Sequence, residues 1–235
     1  MKPTQPDLRV AREVTTLRMA VEQRLRDAIA AGLFKPGQRL VERELCEMTG
    51  VGRTSIREAL RQLEAEGLVV TVPHRGPEVS TISLAEAEQL YEMRAMLEGY
   101  AGRECARRRD PDIIARLRRE VERLHAVVRD DNWGDLLSTK TEFYAALLEG
   151  CGNVFAQRFL RMLHNRVTLL RMTSMAHSGR IENSLVEISE ILHAIEAGDP
   201  ERAERACLTH IRNAAEVALA VLKQQQNSNE MKGSI

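Results

Sequence analysis

Two arginines, Arg53 and Arg57, stand four residues apart in the run Arg53-Thr54-Ser55-Ile56-Arg57. On a helix this spacing puts both guanidinium groups on one face. A guanidinium is a planar fork of donors that matches the O6 and N7 acceptors of guanine, the commonest base-specific contact in the DNA major groove. Thr54 and Ser55 add short hydroxyls suited to a phosphate oxygen, or to a base edge at close range. The same run also reads as two solvated arginines on a surface helix. The elements that hold it decide between the two.

Those elements follow from periodicity and punctuation. From Val14, the apolar positions Leu17, Val21, Leu25, Ala28 and Ile29 keep helical spacing, and the pattern ends at Gly32. Pro36-Gly37 predicts a turn, followed by Leu40 and Val41. A short helix is expected over 42–49 and is broken by Gly50 and Gly52. A second is expected over 53–66, with Ile56, Ala59, Leu60 and Leu63 as its inner stripe, and stops at Gly67. Two β-prone stretches, 68–72 and 77–82, flank His74-Arg75-Gly76 and predict a hairpin. A short helix and a longer one joined by a glycine-containing turn make a helix-turn-helix, and the trailing hairpin makes it winged. In that motif the run at 53–57 opens the helix that enters the groove, and Arg43 sits where the nucleic-acid backbone would cross.

After Ile82 strand signals vanish. Helices are expected at 84–108, 111–130, 133–150, 153–173, 181–197 and 200–224. The breaks are Asp110-Pro111, Asn132, Gly150-Cys151-Gly152, Ser178-Gly179 and Gly198-Asp199-Pro200. The helix at 153–173 is apolar over much of its circumference, through Phe155, Phe159, Met162, Leu163, Val167, Leu169 and Leu170, and is expected to be central. The fold class is mostly α: a winged helix-turn-helix over 14–82 and an antiparallel six-helix bundle over 83–224. Residues 1–13 are expected to be a mobile arm and 225–235 a frayed polar tail.

Composition narrows the function classes. At 43% hydrophobic and 29% charged residues the chain is of globular type. Net charge is zero, and residues 1–82 carry 13 Lys and Arg against 11 Asp and Glu, so the placement of individual arginines outweighs bulk charge. No apolar run approaches the ~18 residues of a membrane span. The first twenty residues lack the apolar core of a signal peptide. Cys46, Cys105, Cys151 and Cys207 lie far apart with no CxxC pair, as buried or incidental thiols of a reducing compartment do. The expected address is the cytoplasm. The chain shows no nucleophile elbow, P-loop or HExxH, and solvation at a helix end explains the Asp130-Asp131 pair, so no enzyme is expected.

The stretch from Leu25 to Val79 resembles the GntR family of bacterial regulators. The matching segments are Pro36-Gly37-Gln38-Arg39-Leu40, then Gly50-Val51-Gly52-Arg53-Thr54-Ser55-Ile56-Arg57-Glu58-Ala59-Leu60, then Leu63-Glu64-Ala65-Glu66-Gly67-Leu68, and Arg75-Gly76 in the wing. The resemblance implies that Arg43, Arg53, Thr54, Ser55 and Arg57 contact DNA, and that Gly76 enters the minor groove. It implies a homodimer on a palindromic operator, with repression the usual mode. Two residues depart from the pattern. Gly52 stands where the family has Ser or Thr, and Ser55 where it often has Pro.

The second half resembles the FCD type of the FadR-like subfamily. The resemblance rests on Tyr91-Glu92-Met93-Arg94 with Leu97-Glu98, on Phe143 with Gly152-Asn153, and on Ala194-Ile195, Gly198-Asp199 and His210. Many such domains hold a divalent metal with one Asp and three His, and the metal anchors a carboxylate effector. Here the four matching positions are Lys140, Tyr144, Ile188 and His210. An ammonium group and one imidazole do not make a metal site, and neither His193 nor His177 repairs it. No cofactor is therefore expected. The resemblance points instead to an anionic, carboxylate-bearing metabolite at Lys140, with hydrogen bonds from Tyr144 and His210 and with Arg94 and Ile188 lining the pocket. Lys140 also reads as an exposed lysine or one paired with a neighbouring Glu, and His210 as a core histidine. A helical domain that only dimerises, having lost ligand sensing, is the alternative.

Overall fold

Glycine and proline set the element borders in this chain. The computed structural model describes residues 12–30, 32–130, 133–175 and 179–233. Most of the arm expected at 1–13, the break at Asn132, Ser178 and His177 lie outside the described residues. The chain divides into two compact units, with the border between Ser80 and Thr81.

The first unit holds α1 (Arg12–Ala30), α2 (Glu42–Thr49), α3 (Arg53–Ala65), β1 (Val69–Val72) and β2 (Gly76–Val79). Helix α2 ends because Gly50 takes a left-handed backbone, φ 71°, and its N–H closes on the Cys46 carbonyl. Gly52 then occupies the N-cap of α3. Ile56, Ala59, Leu60 and Leu63 form the buried stripe of α3, and they pack with Leu25, Ile29, Leu45 and Leu68 in this unit's core. The strands pair antiparallel, with Val69 opposite Val79 and Val72 opposite Gly76. The turn at Pro36-Gly37 lays Gln38 to Leu40 beside β2, where the Leu40 N–H donates to the Pro77 carbonyl at 2.8 Å. The wing is thereby tied to its own domain along its outer edge.

The second unit is a helical bundle of α4 (Leu84–Arg108), α5 (Pro111–Arg129), α6 (Trp133–Gly150), α7 (Val154–Met175), α8 (Arg180–Ala197) and α9 (Pro200–Gly233). Its start is fixed by a capping box. The Ser83 hydroxyl accepts from the Glu86 N–H, and the Glu86 carboxylate accepts from the Ser83 N–H. Helix α5 opens on Asp110 as N-cap with Pro111 in the first turn. The antiparallel pair α4 and α9 forms its closest seam at Gly102, where a Cβ would stand 2.5 Å from Cys207 Sγ. Leu117, Leu124, Phe143, Leu147, Leu160 and Ile195 belong to the main core.

Two expectations need correction. Helix α7 is not central. Leu160, Val167 and Leu170 are buried, but Phe155 and Phe159 on the same helix are 70% and 53% exposed. A helix apolar on two sides buries only the side that its own chain covers. Residues 225–233 of the expected polar tail belong to α9, which continues to Gly233. Its Gln, Glu, Met and Lys residues are good helix formers, and no Pro or Gly interrupts them before Gly233.

All four cysteines are free thiols, with Cys46 half-buried and Cys105, Cys151 and Cys207 buried. Burial pushes the Cys105 thiol up to about 12 and raises Cys151 and Cys207 as well. Among the described residues no helix is long and apolar enough to cross a membrane.

Candidate functional site

Arg53 and Arg57 lie on the first two turns of α3. Arg53 and Thr54 are exposed and Ser55 is half-buried. Gly52 caps the helix without a side-chain acceptor, so no side chain answers the first-turn N–H groups. These groups carry the positive end of the helix dipole, which favours an anion. Arg57 is not idle. Its Nε lies 2.9 Å from both carboxylate oxygens of Glu42, at the start of α2. That hydrogen bond, with the Glu42 charge, raises the guanidinium above its ordinary value. Arg43 stands on the exposed face of α2, 3.9 Å from Glu47. At the wing tip His74 and Gly76 both have positive φ, 63° and 87°, and a Cβ at Gly76 would meet open space. Helix α3 and the wing thus both present exposed cationic side chains, Arg53 and Arg57 on the one and Arg75 on the other.

The second cluster is buried in the helical unit. Lys140 on α6 is only 7% exposed, and its Nζ donates to Ser184 Oγ on α8 at 2.7 Å. Tyr144, one turn further along α6, has its hydroxyl 2.7 Å from His210 Nε2 on α9. His210 Nδ1 lies 2.6 Å from Glu187 Oε2 on α8. Glu187 also accepts from Arg180 at 2.9 and 3.1 Å and from Asn213 at 2.7 Å. Burial alone would raise its carboxyl, but the bonds from His210, Arg180 and Asn213 outweigh that and hold it down to about 2. His210 is shifted down by burial and by the Lys140 charge, against the pull of Glu187. A neutral imidazole facing a carboxylate keeps its proton on Nδ1, so Nε2 accepts from the Tyr144 hydroxyl.

Arg94 on α4 is buried and donates to Glu98 at 2.8 Å, with Tyr91 beneath its guanidinium. Burial opposes its charge, but Glu98 keeps the guanidinium above its ordinary value. Ile188 is fully buried beside Glu187 on α8. Four helices therefore bring Arg94, Lys140, Tyr144, Ile188 and His210 into one region.

The profile of the FCD domain matches residues 89–213, more than half of the chain. That of bacterial regulatory proteins of the gntR family matches residues 17–79. The chain is a GntR-family regulator with an FCD domain. It is 24% identical over 229 residues to the HTH-type transcriptional repressor RspR of Escherichia coli strain K12, covering 97% of this chain and 95% of that one. It is 31% identical over 143 residues to the Nta operon transcriptional regulator of Aminobacter aminovorans, covering 59% and 65%. Its fold is that of E. coli McbR/YncC, with a TM-score of 0.76, 22% identity, and coverage of 89% of this chain and 98% of that one.

The metal implied by the FCD resemblance would need donors at Lys140, Tyr144, Ile188 and His210. The donor set at the matching positions is an ammonium, a phenol, a hydrocarbon and one imidazole, and both nitrogens of that imidazole are engaged by Tyr144 and Glu187. Among the described residues no group of three or more His, Cys, Asp or Glu is placed to hold a metal ion. Lys140 is not an exposed lysine, and Tyr144 and His210 bond each other. Sequence reasoning missed Glu187, Arg180, Ser184 and Asn213. A signal was available on α8, where Ser184, Glu187, Ile188 and Ile191 follow the i, i+3, i+4, i+7 spacing of an inner stripe.

Proposed function

We propose that this regulator is a FadR-like repressor of a metabolic operon, acting in the cytoplasm as a homodimer on a palindromic operator. Arg53 and Arg57 read base edges in the major groove, Thr54 and Ser55 hold the phosphates beside them, and Arg43 grips the backbone. Gly76 lets the wing tip approach the minor groove. The single observation that carries this reading is the start of α3, where an uncapped helix end and two arginines share one exposed region. Repression is supported by likeness to a chain described as a transcriptional repressor. Gel-shift titration against the DNA flanking its own gene tests it, with Arg53→Ala expected to lose sequence preference. Binding that stays sequence-specific in that variant overturns the assignment of α3.

The FCD domain takes a small carboxylate-bearing metabolite at the Lys140 cluster, without a metal. Support comes from Glu187, because the site already holds one carboxylate with a guanidinium, an amide and an imidazole. A ligand carboxylate is recognised by the same chemistry, with Lys140 adding its charge and Arg94 setting the local field. Lys140→Ala should abolish the response of the operator complex to the metabolite and leave ligand-free affinity unchanged. A second reading, a domain that only dimerises, is favoured by the mutual satisfaction of Tyr144, His210 and Glu187. A panel of small carboxylic acids that leaves the melting temperature unmoved would favour that second reading.

A further inference from the structure

Helices α8 and α9 fold back on each other at Gly198-Asp199-Pro200, and between them lies a groove of about 330 Å³. That is the scale of a small-molecule site. Val186 of α8 and Ala206 of α9 supply apolar walls, and Val186 is 70% exposed. Arg202, Arg205, Ala206 and Thr209 line the groove from α9, and their i, i+3, i+4, i+7 spacing puts them on one face. Glu187 and Glu190 line it from α8.

The charges that line this groove do not cancel. Arg202 is matched by Glu190, with bonds of 2.7 and 3.0 Å to its two carboxylate oxygens. Glu187 is matched within the inner cluster, where Arg180, Asn213 and His210 hold its carboxylate. Arg205 is exposed and, among the described residues, has no ion-pair partner. Glu201, one turn before it, and Glu182, one turn before Val186, are exposed but do not line the groove. Nor does the exposed Arg212, three residues beyond Thr209. One guanidinium is thus left uncompensated beside an apolar wall. Thr209 stands four residues on from Arg205, so its hydroxyl and the guanidinium can meet on one oxyanion.

We propose that the α8–α9 groove is a second ligand site of the FCD domain, separate from the Lys140 cluster, and that it takes a small monocarboxylate with a flat apolar body. The carboxylate accepts from Arg205 and Thr209, and the apolar body lies on Val186 and Ala206. A dianion is poorly matched, because its second charge would face Glu187 and Glu190. A carboxylate without an apolar body forfeits the burial of the walls. Glu187 is common to both sites, since it lines the groove while its carboxylate holds His210.

Saturation-transfer NMR titration of the full chain with benzoate tests the assignment. Benzamide, similar in shape but neutral, and acetate, charged but without the ring, are the matched controls. Benzoate is expected to bind at millimolar concentration or below, and each control at least tenfold more weakly. Arg205→Glu and Val186→Glu should each remove benzoate binding with an unchanged circular dichroism spectrum, because both side chains are exposed in the folded chain. Thr209→Val should weaken it several-fold, and Arg212→Glu, the same charge reversal off the groove, should not. A native protein that does not bind benzoate, or that binds it equally well after Arg205→Glu, would overturn the site. Benzamide binding as tightly as benzoate would overturn the role of Arg205. Benzoate binding lost in Lys140→Ala and kept in Val186→Glu would place the ligand at the inner cluster and overturn the groove.

Discussion

Glu187 Oε2 lies 2.6 Å from His210 Nδ1, and Arg180 and Asn213 hold the same carboxylate. Both groups titrate below their ordinary values, Glu187 at about 2 against 4.5 and His210 below 6.5. A group depressed on folding stabilises the native state above its unfolded value and loses that contribution as pH falls through its folded value. Both therefore act in the same direction, and the FCD domain should weaken on acidification. The His210 contribution begins to fade below pH 6.5, and that of Glu187 goes between 4.5 and about 2. His210→Gln should flatten the melting-temperature profile between pH 6.5 and 5. A native profile that is flat from pH 7 to 4 would contradict the neutral His210.

Replacing the carboxylate by an amide leaves one neutral acceptor oxygen where Arg180, Asn213 and His210 now share two charged ones. Glu187→Gln should lower stability by on the order of 2 kcal/mol, the worth of hydrogen bonds to a charged group. Urea denaturation at pH 7 measures it, and an unchanged midpoint would show the cluster to be energetically idle.

In the proposed DNA contact, Arg57 leaves Glu42 to reach a base. Glu42→Gln should therefore tighten operator binding several-fold at low salt, by freeing the guanidinium and removing a negative charge from the DNA-facing side. Arg57→Ala should weaken the native protein about tenfold or more and relax preference at one base position of each half-site. Arg43→Ala should weaken all sequences alike and flatten the salt dependence. Filter-binding titrations across a salt series separate the three.

Gly52 has φ −74° and open space where a Cβ would stand, so a serine fits there unstrained. Gly52→Ser adds a capping hydroxyl to α3 and removes glycine's freedom from the unfolded chain. The expected gain is about 0.5–1 kcal/mol, read as a raised melting temperature. The new hydroxyl should also add a phosphate contact and tighten DNA binding. A destabilised variant would show that the N-cap is not where α3 begins.

Elemental analysis of the purified protein is expected to find no stoichiometric zinc, nickel or manganese. Lys140→Asp with Tyr144→His and Ile188→His rebuilds a donor set around His210 and should bind nickel in a calorimetric titration. Metal held by the native FCD domain would refute the metal-free reading.

The borders of nearly every element were legible because caps and breakers act locally. Asp110-Pro111 and Gly198-Asp199-Pro200 stand where helices change, and Gly50 and Gly52 bracket the turn of the helix-turn-helix. The apolar stripe of α3 was legible for the same reason, since one periodicity decides one face. The fate of α7 was not, because a hydrophobic residue left exposed and one facing the core look alike along a chain. The Glu187 cluster was hidden differently. Its donors come from 7, 23 and 26 residues away, and only the packing of α8 on α9 brings the last two together. Polar composition also misled at 225–233, where side chains with good helix propensity simply extend α9.

Of the four thiols, three are sealed in the FCD domain with their ionisation suppressed, and only Cys46 is partly exposed, on α2 next to α3. A maleimide dye should consequently couple to the native chain at a single position, with no engineering of the other cysteines. That position reports on the first unit of the chain alone. The protein thus supplies its own fluorescent handle for timing how long it stays on DNA.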